Sequence, residues 1–379
     1  MLNKWNVWSQ NNPQKKYGDA RTYQKAADFL KNLKVEDWGC GLGRFKGFHQ
    51  GDYFGVDGSI SPNVDLQKDL RFYKSRSEAI MMRHVLEHNY DWHKVLSNAV
   101  QSFQKRMVLI ISTPFQNELK QLDWNDKIKV PDLGFKQADI ENFFTGLKWS
   151  METLTTNSIY KQEHIYYLEK MVTITYLTAH TEKPEFEDKV KKSLLSVTGN
   201  HRLISVSQEP INFGDNICVG KIGHSYVSAY RQWLAGAEAA ITDYIMAAES
   251  DQFYPPGYYD FIPNDAPIYM YDNLWVIKSF NKIRFYKKDL GDWVSCWRRD
   301  YLIKRLKLRI REHEENPKGR TLQIMQPRKR DWPWFSGLPV INIKTANNLT
   351  PNVSVYDNPG VEDLPHWGNI KDFCQKYDI

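Results

Sequence analysis

Asp37-Trp38-Gly39-Cys40-Gly41-Leu42-Gly43-Arg44 begins in the last two residues of a short strand-like run, Val35 to Trp38. Glycines placed just after a strand let the backbone pass close to a ligand before a helix begins. Alone, G-x-G-x-G fits any tight strand-to-helix turn, so the surrounding sequence must carry the reading. Tyr53-Phe54-Gly55-Val56-Asp57 is a second strand, and it ends in an acid. A carboxylate at that place can accept both hydroxyls of a ribose. Asp69 closes the next short segment, where an adenine edge would lie.

Farther along, Ala79 to His84 reads as a third strand, and Trp92 to Phe103 has helical spacing. Met107 to Ser112 is apolar on both faces, as a buried strand requires. Alternating elements of this kind predict a parallel α/β sheet. Residues 148–178 alternate without a helix, which predicts a closing antiparallel hairpin. Thr181 to Lys189 is charged and carries Pro184, which places a domain boundary there.

The whole chain suits two such domains. Its 379 residues can bury a sizeable core, and 41% apolar and 25% charged residues exclude wholesale disorder, collagen and coiled coil. The four cysteines form no C-x-x-C pair, so neither a zinc knuckle nor a disulfide framework is expected. A reducing, cytoplasmic setting fits, within a host cell if the protein is phage-encoded. No apolar run approaches the ~18–20 residues of a membrane span. A net charge of +6 tolerates an anionic partner without identifying one.

Val35 to Arg44, Gly55 to Ser59, Asp69-Leu70 and His84-Val85-Leu86-Glu87-His88 together resemble the class I S-adenosylmethionine-dependent methyltransferases. The resemblance covers residues 30–115 well and 1–180 loosely. It implies that Asp37, Gly39, Gly41 and Gly43 surround the methionine part of S-adenosylmethionine. Asp57 would hold the ribose and Asp69 the adenine amine, with His84 and Val85 lining the pocket. The Asn/Asp-Pro-Pro-aromatic motif of enzymes that methylate exocyclic amines of DNA is absent, as is a Pro-Cys nucleophile loop. Glu87 and His88 are candidates for a general base near the methyl group, or else for a helix cap.

In the second half the pattern restarts. Leu194 to Val197 and Leu203 to Val206 read as strands, His224 to Ala240 as a helix, and Asp243 to Ala248 as a strand. Trp293 to Glu315 reads as a long basic helix, and the last ~60 residues as mostly irregular. After the strand comes Glu249-Ser250-Asp251. In extended chain these two acids face the same way and can approach one divalent ion. Oxygen ligands suit Mg²⁺ or Mn²⁺ bridging a diphosphate. E-x-D by itself is common on solvated surfaces; its position after an apolar strand is what makes it a candidate.

Leu194 to Thr198, Ile204 to Pro210 with Asn216 to Gly220, Tyr230 to Pro255, and Tyr271 to Trp275 are similar to the GT-A-type glycosyltransferases, of the compact phage-encoded sort. That resemblance spans 190–345. It implies a Glu249-Ser250-Asp251 site for the metal and the nucleotide-sugar diphosphate, with Asp251 the main ligand. Ser207, Gln208 and Glu209 would sit beside the nucleotide. His366 is a candidate late metal ligand or a structural loop residue. An inverting enzyme would need a carboxylate base, for which Asp272, Asp289 and Asp292 are candidates. Trp275, Trp293 and Trp297 are candidates for stacking on sugar or base rings, or for the core.

Lys304, Lys307 and Arg311 share one helix face, and Arg328-Lys329-Arg330 adds to the basic region. The stripe is either a solvated face or a phosphate contact, so DNA is a possible partner. The expectation is therefore two Rossmann-like α/β domains, 1–181 a methyltransferase and 190–379 a glycosyltransferase with an irregular tail. They would add a sugar from a nucleotide sugar and methylate that sugar or its acceptor, such as a hydroxymethylated base in phage DNA. A glycan or glycolipid acceptor is the alternative, as is a nucleotide-binding module with one domain inactive.

Overall fold

The computed structural model describes residues 19–126, 129–263, 266–278, 283–288, 291, 293–316, 332–345, 349 and 360–379. The chain divides into two compact units, Met1–Lys170 and Met171–Ile379.

In the first unit α1 (Ala20–Leu30) buries Tyr23, Ala26, Ala27 and Leu30, the one-sided spacing of an amphipathic helix. Asp19 caps it by accepting the Arg21 N–H at 2.9 Å. Five strands follow: β1 (Val35–Trp38), β2 (Tyr53–Asp57), β3 (Leu66–Gln67), β4 (Ser77–Arg83) and β5 (Phe103–Ile111). Helix α2 (Trp92–Ser102) joins the last two, close to where the periodicity places it. After β5 come the hairpin β6 (Lys120–Asn125) and β7 (Val130–Gly134), then α3 (Gln137–Glu141), β8 (Leu147–Thr155) and β9 (Gln162–Lys170). The sheet order is β3-β2-β1-β4-β5-β9-β8, parallel except for β9, which runs antiparallel to both neighbours. This is the Rossmann-like sheet that the resemblance to class I methyltransferases implies. Its strand order reverses between β1 and β4, and such a switch point opens a crevice at the carboxyl ends of the strands.

One local expectation fails here. No α-helix follows the glycine turn; the crossover to β2 holds only the 3₁₀ turn Arg44–Gly47. The link from Trp38 to Tyr53 carries Gly39, Gly41, Gly43, Gly47 and Gly51, and glycine disfavours a helix interior.

The second unit begins with β10 (Thr173–Thr178) and α4 (Pro184–Leu195), followed by β11 (Arg202–Ser207), β12 (Asp215–Cys218), α5 (Tyr226–Ala239) and β13 (Tyr244–Glu249). Then come β14 (Gln252–Phe253), β15 (Ile268–Tyr271), β16 (Leu274–Lys278), β17 (Tyr286–Lys288), β18 (Ser295–Arg298) and α6 (Arg299–Glu315). The chain closes with β19 (Trp334–Phe335), β20 (Val340–Lys344), the hairpin β21 (Asp363–Leu364) and β22 (Gly368–Asn369), and α7 (Ile370–Tyr377). The main sheet runs β12-β11-β10-β13-β18-β15-β19 and a smaller one β14-β20-β16-β17. Within the main sheet only β18 opposes its neighbours β13 and β15. Here the order reverses between β10 and β13.

Four expectations are corrected by this unit. Residues 173–178 do not extend the hairpin of the first sheet; they form β10, at the centre of the second, so the division falls before Met171 rather than at 181–189. The charged run is no linker. Pro184 opens α4, and Phe186, Val190 and Leu194 are its buried stripe, so Leu194 to Val197 is a helix end and not a strand. The basic helix starts at Arg299, because Val294 to Trp297 are buried on all sides as the antiparallel strand β18 demands. In the described part of the tail, β20 and α7 bury Val340, Ile341, Ile343, Phe373 and Tyr377. Among the described residues no helix is long and apolar enough to cross a membrane.

Candidate functional site

At the carboxyl edge of the first sheet, Gly39, Gly41 and Gly43 have φ of 75°, 53° and 68°, the left-handed region that glycine enters without strain. A Cβ on Gly39 would lie 2.3 Å from Val85 Cγ2. The turn after β4 therefore packs directly on the glycine loop. Gly39→Ala should cost about 1–2 kcal/mol for its backbone and ~1–3 for the overlap. Denaturant titration checks this; a loss under about 1 kcal/mol would mean that the loop yields freely.

Asp57 holds the loop in place. One carboxylate oxygen accepts the Gly41 N–H at 2.8 Å and the other the Ser59 N–H at 2.7 Å. Asp37, at the end of β1, is buried and accepts the Tyr53 hydroxyl at 2.9 Å. Burial pushes its carboxyl up to about 7, against the Tyr53 hydrogen bond and with help from Asp57. Asp69 is tied to Arg71, whose guanidinium lies 2.6 Å away and also reaches Asp91 at 3.2 Å.

His84 and Val85 follow β4. His84 has φ of 53°, is buried, and its Nε2 lies 3.6 Å from Glu163. Glu163 also accepts Arg83 at 2.9 Å. Burial opposes its charge, yet His84 and Arg83 hold its pKa down to about 2. Glu87 is fully buried, and one of its oxygens accepts both the Ser112 N–H (2.6 Å) and hydroxyl (3.0 Å). It thus ties the turn after β4 to the end of β5. His88 turns the other way, toward β7: its Nδ1 lies 3.0 Å from the Pro131 carbonyl and 3.2 Å from Asp132. Asp132 accepts the Tyr160 hydroxyl at 3.0 Å. Asp132 and Tyr160 carry no local signal, because each meets His88 through a distant turn of the chain.

In the second unit, Glu249 ends β13 and Asp251 lies in the turn before β14. The segment is therefore not extended throughout, contrary to the spacing argument, and the two acids have different neighbours. Glu249 accepts the Gln252 side-chain amide, while buried Asp251 lies 4.0 Å from the Lys344 ammonium. The Asp251 carbonyl accepts Ile343 N–H at 2.8 Å, which fixes β20 beside the turn. Thr345, next to Lys344, donates to Glu182 at 2.9 Å. Burial, and next to it the charges of Asp251 and Glu187, raise the Glu182 carboxyl above its ordinary range, although Thr345 opposes this.

His180, after β10, lies 3.9 Å from Glu187, which also accepts the Tyr176 hydroxyl at 2.8 Å. These groups stand at the strand-order switch; Glu182 and Glu187 lie in the charged run Thr181 to Lys189 that reads as a boundary, and His180 precedes it.

Ser207, Gln208 and Glu209 follow β11 at the same edge. Ser207 donates to the Glu209 carbonyl at 2.6 Å, Gln208 pins the Ile222–Gly223 backbone at 2.6–3.1 Å, and exposed Glu209 pairs with Lys221 at 3.2 Å. Asp272 follows β15, which runs parallel to β13, so it too reaches this edge; Ser336 donates to it at 2.5 Å. Asp289, Asp292 and Arg328-Lys329-Arg330 lie outside the described residues.

Trp275 donates to Asn273 at 2.8 Å and has the Lys287 ammonium over its ring at 5.4 Å, so that face is covered. Trp297 is fully buried, and half-buried Trp293 lies tilted against Trp233 with ring centroids 4.7 Å apart. Both belong to the core.

His366 does not join the acids. It lines a cavity of about 280 Å³ with Ser193, Val197, Trp367, Lys376 and Tyr377. Among the described residues no three His, Cys, Asp or Glu side chains gather around a point that could hold a metal. Lys304, Lys307 and Arg311 are exposed on α6, opposite buried Leu302 and Leu306, but Lys307 is bound to Glu238 at 2.7 Å.

No protein-family profile matches the chain, and no curated protein does. Solved structures do. Magnesium protoporphyrin IX methyltransferase of Synechocystis PCC 6803, with bound S-adenosylhomocysteine, is 17% identical over 40% of this chain and 82% of its own, with a TM-score of 0.31. The 1,6-didemethyltoxoflavin-N1-methyltransferase of Burkholderia thailandensis is 11% identical over 43% and 80%, with a TM-score of 0.33. An S-adenosylmethionine-dependent methyltransferase of Mesorhizobium loti is 9% identical over 39% and 96%, with a TM-score of 0.30. Such distant likenesses carry no argument; what the first unit itself shows is a Rossmann-like sheet with a glycine turn at its switch point.

Proposed function

We propose that the first unit is an S-adenosylmethionine-dependent methyltransferase and the second a GT-A-type glycosyltransferase that uses a nucleotide sugar. The observation that carries the first reading is the left-handed glycine loop held by Asp57 at the switch point, with Val85 packed on it. In it Asp57 takes the ribose hydroxyls, Asp37 faces the cofactor's amino group, and Asp69 with Arg71 borders the adenine. The second reading is supported by the reversal of strand order between β10 and β13, the single antiparallel strand β18, and acids at the end of β13. There Glu249 and Asp251 would hold a divalent cation, which neutralises the departing nucleoside diphosphate when bound. Lys344 adds a positive charge beside Asp251.

Asp37 gives the first reading a pH signature. With its pKa near 7 it is largely protonated in mildly acidic solution. A cationic amine favours the carboxylate, so binding below pH 7 must release a proton. Affinity for S-adenosylhomocysteine should therefore rise with pH through about 7 and level off above it. Calorimetry in buffers of different ionisation enthalpy tests this; no proton release at pH 6 would remove Asp37 from the amine site. The experiment that tests the two activities is mass spectrometry of the products formed from S-adenosylmethionine and nucleotide sugars with extracts of producing cells. Neither methylated nor glycosylated products would leave only a binding module.

A further inference from the structure

We propose that the cavity bounded by the end of α4, the β21–β22 hairpin and α7 binds one neutral sugar unit of a glycan, apart from the edge that carries Glu249 and Asp251. The site does not depend on the sugar-transfer reading of the second unit.

Location separates the two. Strands β10 and β13 run parallel, so Glu249 stands at the carboxyl edge of the main sheet. Helix α4 leaves that edge after β10 and feeds β11, which is parallel to β10. Its last turn therefore lies toward the opposite edge. Ser193 and Ser196, at that end, line the cavity together with Asp372 and Lys376 of α7. Tyr254 lines it as well, but its hydroxyl is taken: it accepts the Glu249 N–H at 3.2 Å and donates to Gln252 at 2.7 Å. What Tyr254 offers the cavity is its ring.

The floor is aromatic carbon, because Tyr254, Phe373 and Tyr377 are buried. Trp367 joins them with its N–H bound to the Pro339 carbonyl at 2.6 Å and Phe373 edge-on at 5.5 Å between ring centroids. The indole is thus held in place with its polar atom spent.

The rim is polar. Ser196, His366, Asp372 and Lys376 are exposed. Asp372 and Lys376 are one helical turn apart, a spacing at which opposite charges pair. Yet among the described residues neither makes an ion pair, and the Lys376 ammonium lies 5.0 Å from the centroid of the Tyr377 ring instead. Burial, and after it the Lys376 charge, lowers the His366 pKa, so at neutral pH the ring is neutral and carries one donor and one acceptor. His366 also holds φ of 70°, a left-handed conformation that a non-glycine residue keeps only where its surroundings impose it.

These features select the ligand. An anion would meet the Asp372 carboxylate, and a cation the Lys376 ammonium. A neutral polyol uses both, since a hydroxyl donates to a carboxylate and accepts from an ammonium. A pyranose adds an apolar face of C–H groups for the aromatic floor. The volume of about 280 Å³ stands at the lower end of the ~300–1,000 Å³ of small-molecule sites, room for one ring rather than a nucleotide sugar.

The test uses the full chain labelled with 5-fluorotryptophan. The probes are the methyl glycosides of glucose, galactose, mannose and N-acetylglucosamine. At least one should shift the Trp367 fluorine signal, assigned by Trp367→Phe, and saturate it with a Kd of ~1–10 mM. Asp372→Asn and Lys376→Met, both at exposed side chains, should each weaken that binding at least about fivefold. Saturation-transfer difference spectra of the glycosides read the same affinities without a tryptophan variant. Asp251→Asn should bind the glycoside as the wild type does. Binding by none of the four, binding that both α7 variants leave unchanged, or binding lost in Asp251→Asn overturns the proposal. A Trp367 shift produced by uridine or N-acetylphenylalaninamide, but by no glycoside, overturns it too.

Discussion

Asp57→Ala should weaken S-adenosylhomocysteine binding by at least about a hundredfold. The carboxylate would lose two ribose hydroxyls, each a charge-assisted hydrogen bond worth ~1.5–3 kcal/mol. Two of them come to at least ~3 kcal/mol, or roughly two decades in affinity. The side chain also accepts the Gly41 and Ser59 N–H groups, so the loop itself loosens. Ser59→Ala keeps the backbone contact and serves as a control for general damage. Calorimetry reads the effect, and an affinity within threefold of wild type would remove Asp57 from the ribose site.

The second large effect is expected at Asp251. A diphosphate is repelled by Glu249 and Asp251 unless positive charge lies between them. Asp251→Asn keeps the size of the side chain but removes the charge that faces Lys344 and that would hold a cation. Transfer from nucleotide sugars should fall by about 10²-fold or more, the scale of losing one preorganised electrostatic contact. S-adenosylhomocysteine binding should be unchanged, since Asp251 belongs to the other compact unit. Release of nucleoside diphosphate from a panel of nucleotide sugars measures this, with EDTA as a parallel treatment. Full activity in the variant and in EDTA would show that the triplet is only a turn.

What could be read from sequence was what is written locally. The glycine turn, Asp57 and the buried run of β5 depend on neighbours within one βα unit, and each falls in its expected place. Helix α2 was legible because Val95, Leu96 and Ala99 repeat at helical spacing. The failures have a common cause in distant pairing. Thr173 to Thr178 alternates like the hairpin before it, and only its partners on β11 and β13 assign it to the second sheet. Val294 to Trp297 is equally apolar as strand or helix, and β13 and β15 on either side decide for strand. In α4, Phe186, Val190 and Leu194 form a clear stripe that the surrounding charges hid.

The candidate sites divide in the same way. The loop-forming residues of the first site were visible, whereas Asp132 beside His88 and Lys344 beside Asp251 come from other strands. His366 is the converse, a chemically suitable residue that lines a cavity with Trp367, Lys376 and Tyr377.

Equilibrium dialysis of the full chain against tritium-labelled S-adenosylmethionine tests the central claim most directly. One equivalent should bind per chain, displaced by unlabelled S-adenosylhomocysteine and lost in Asp57→Ala. No retained label, or label that S-adenosylhomocysteine does not displace, would contradict a cofactor site at the glycine loop.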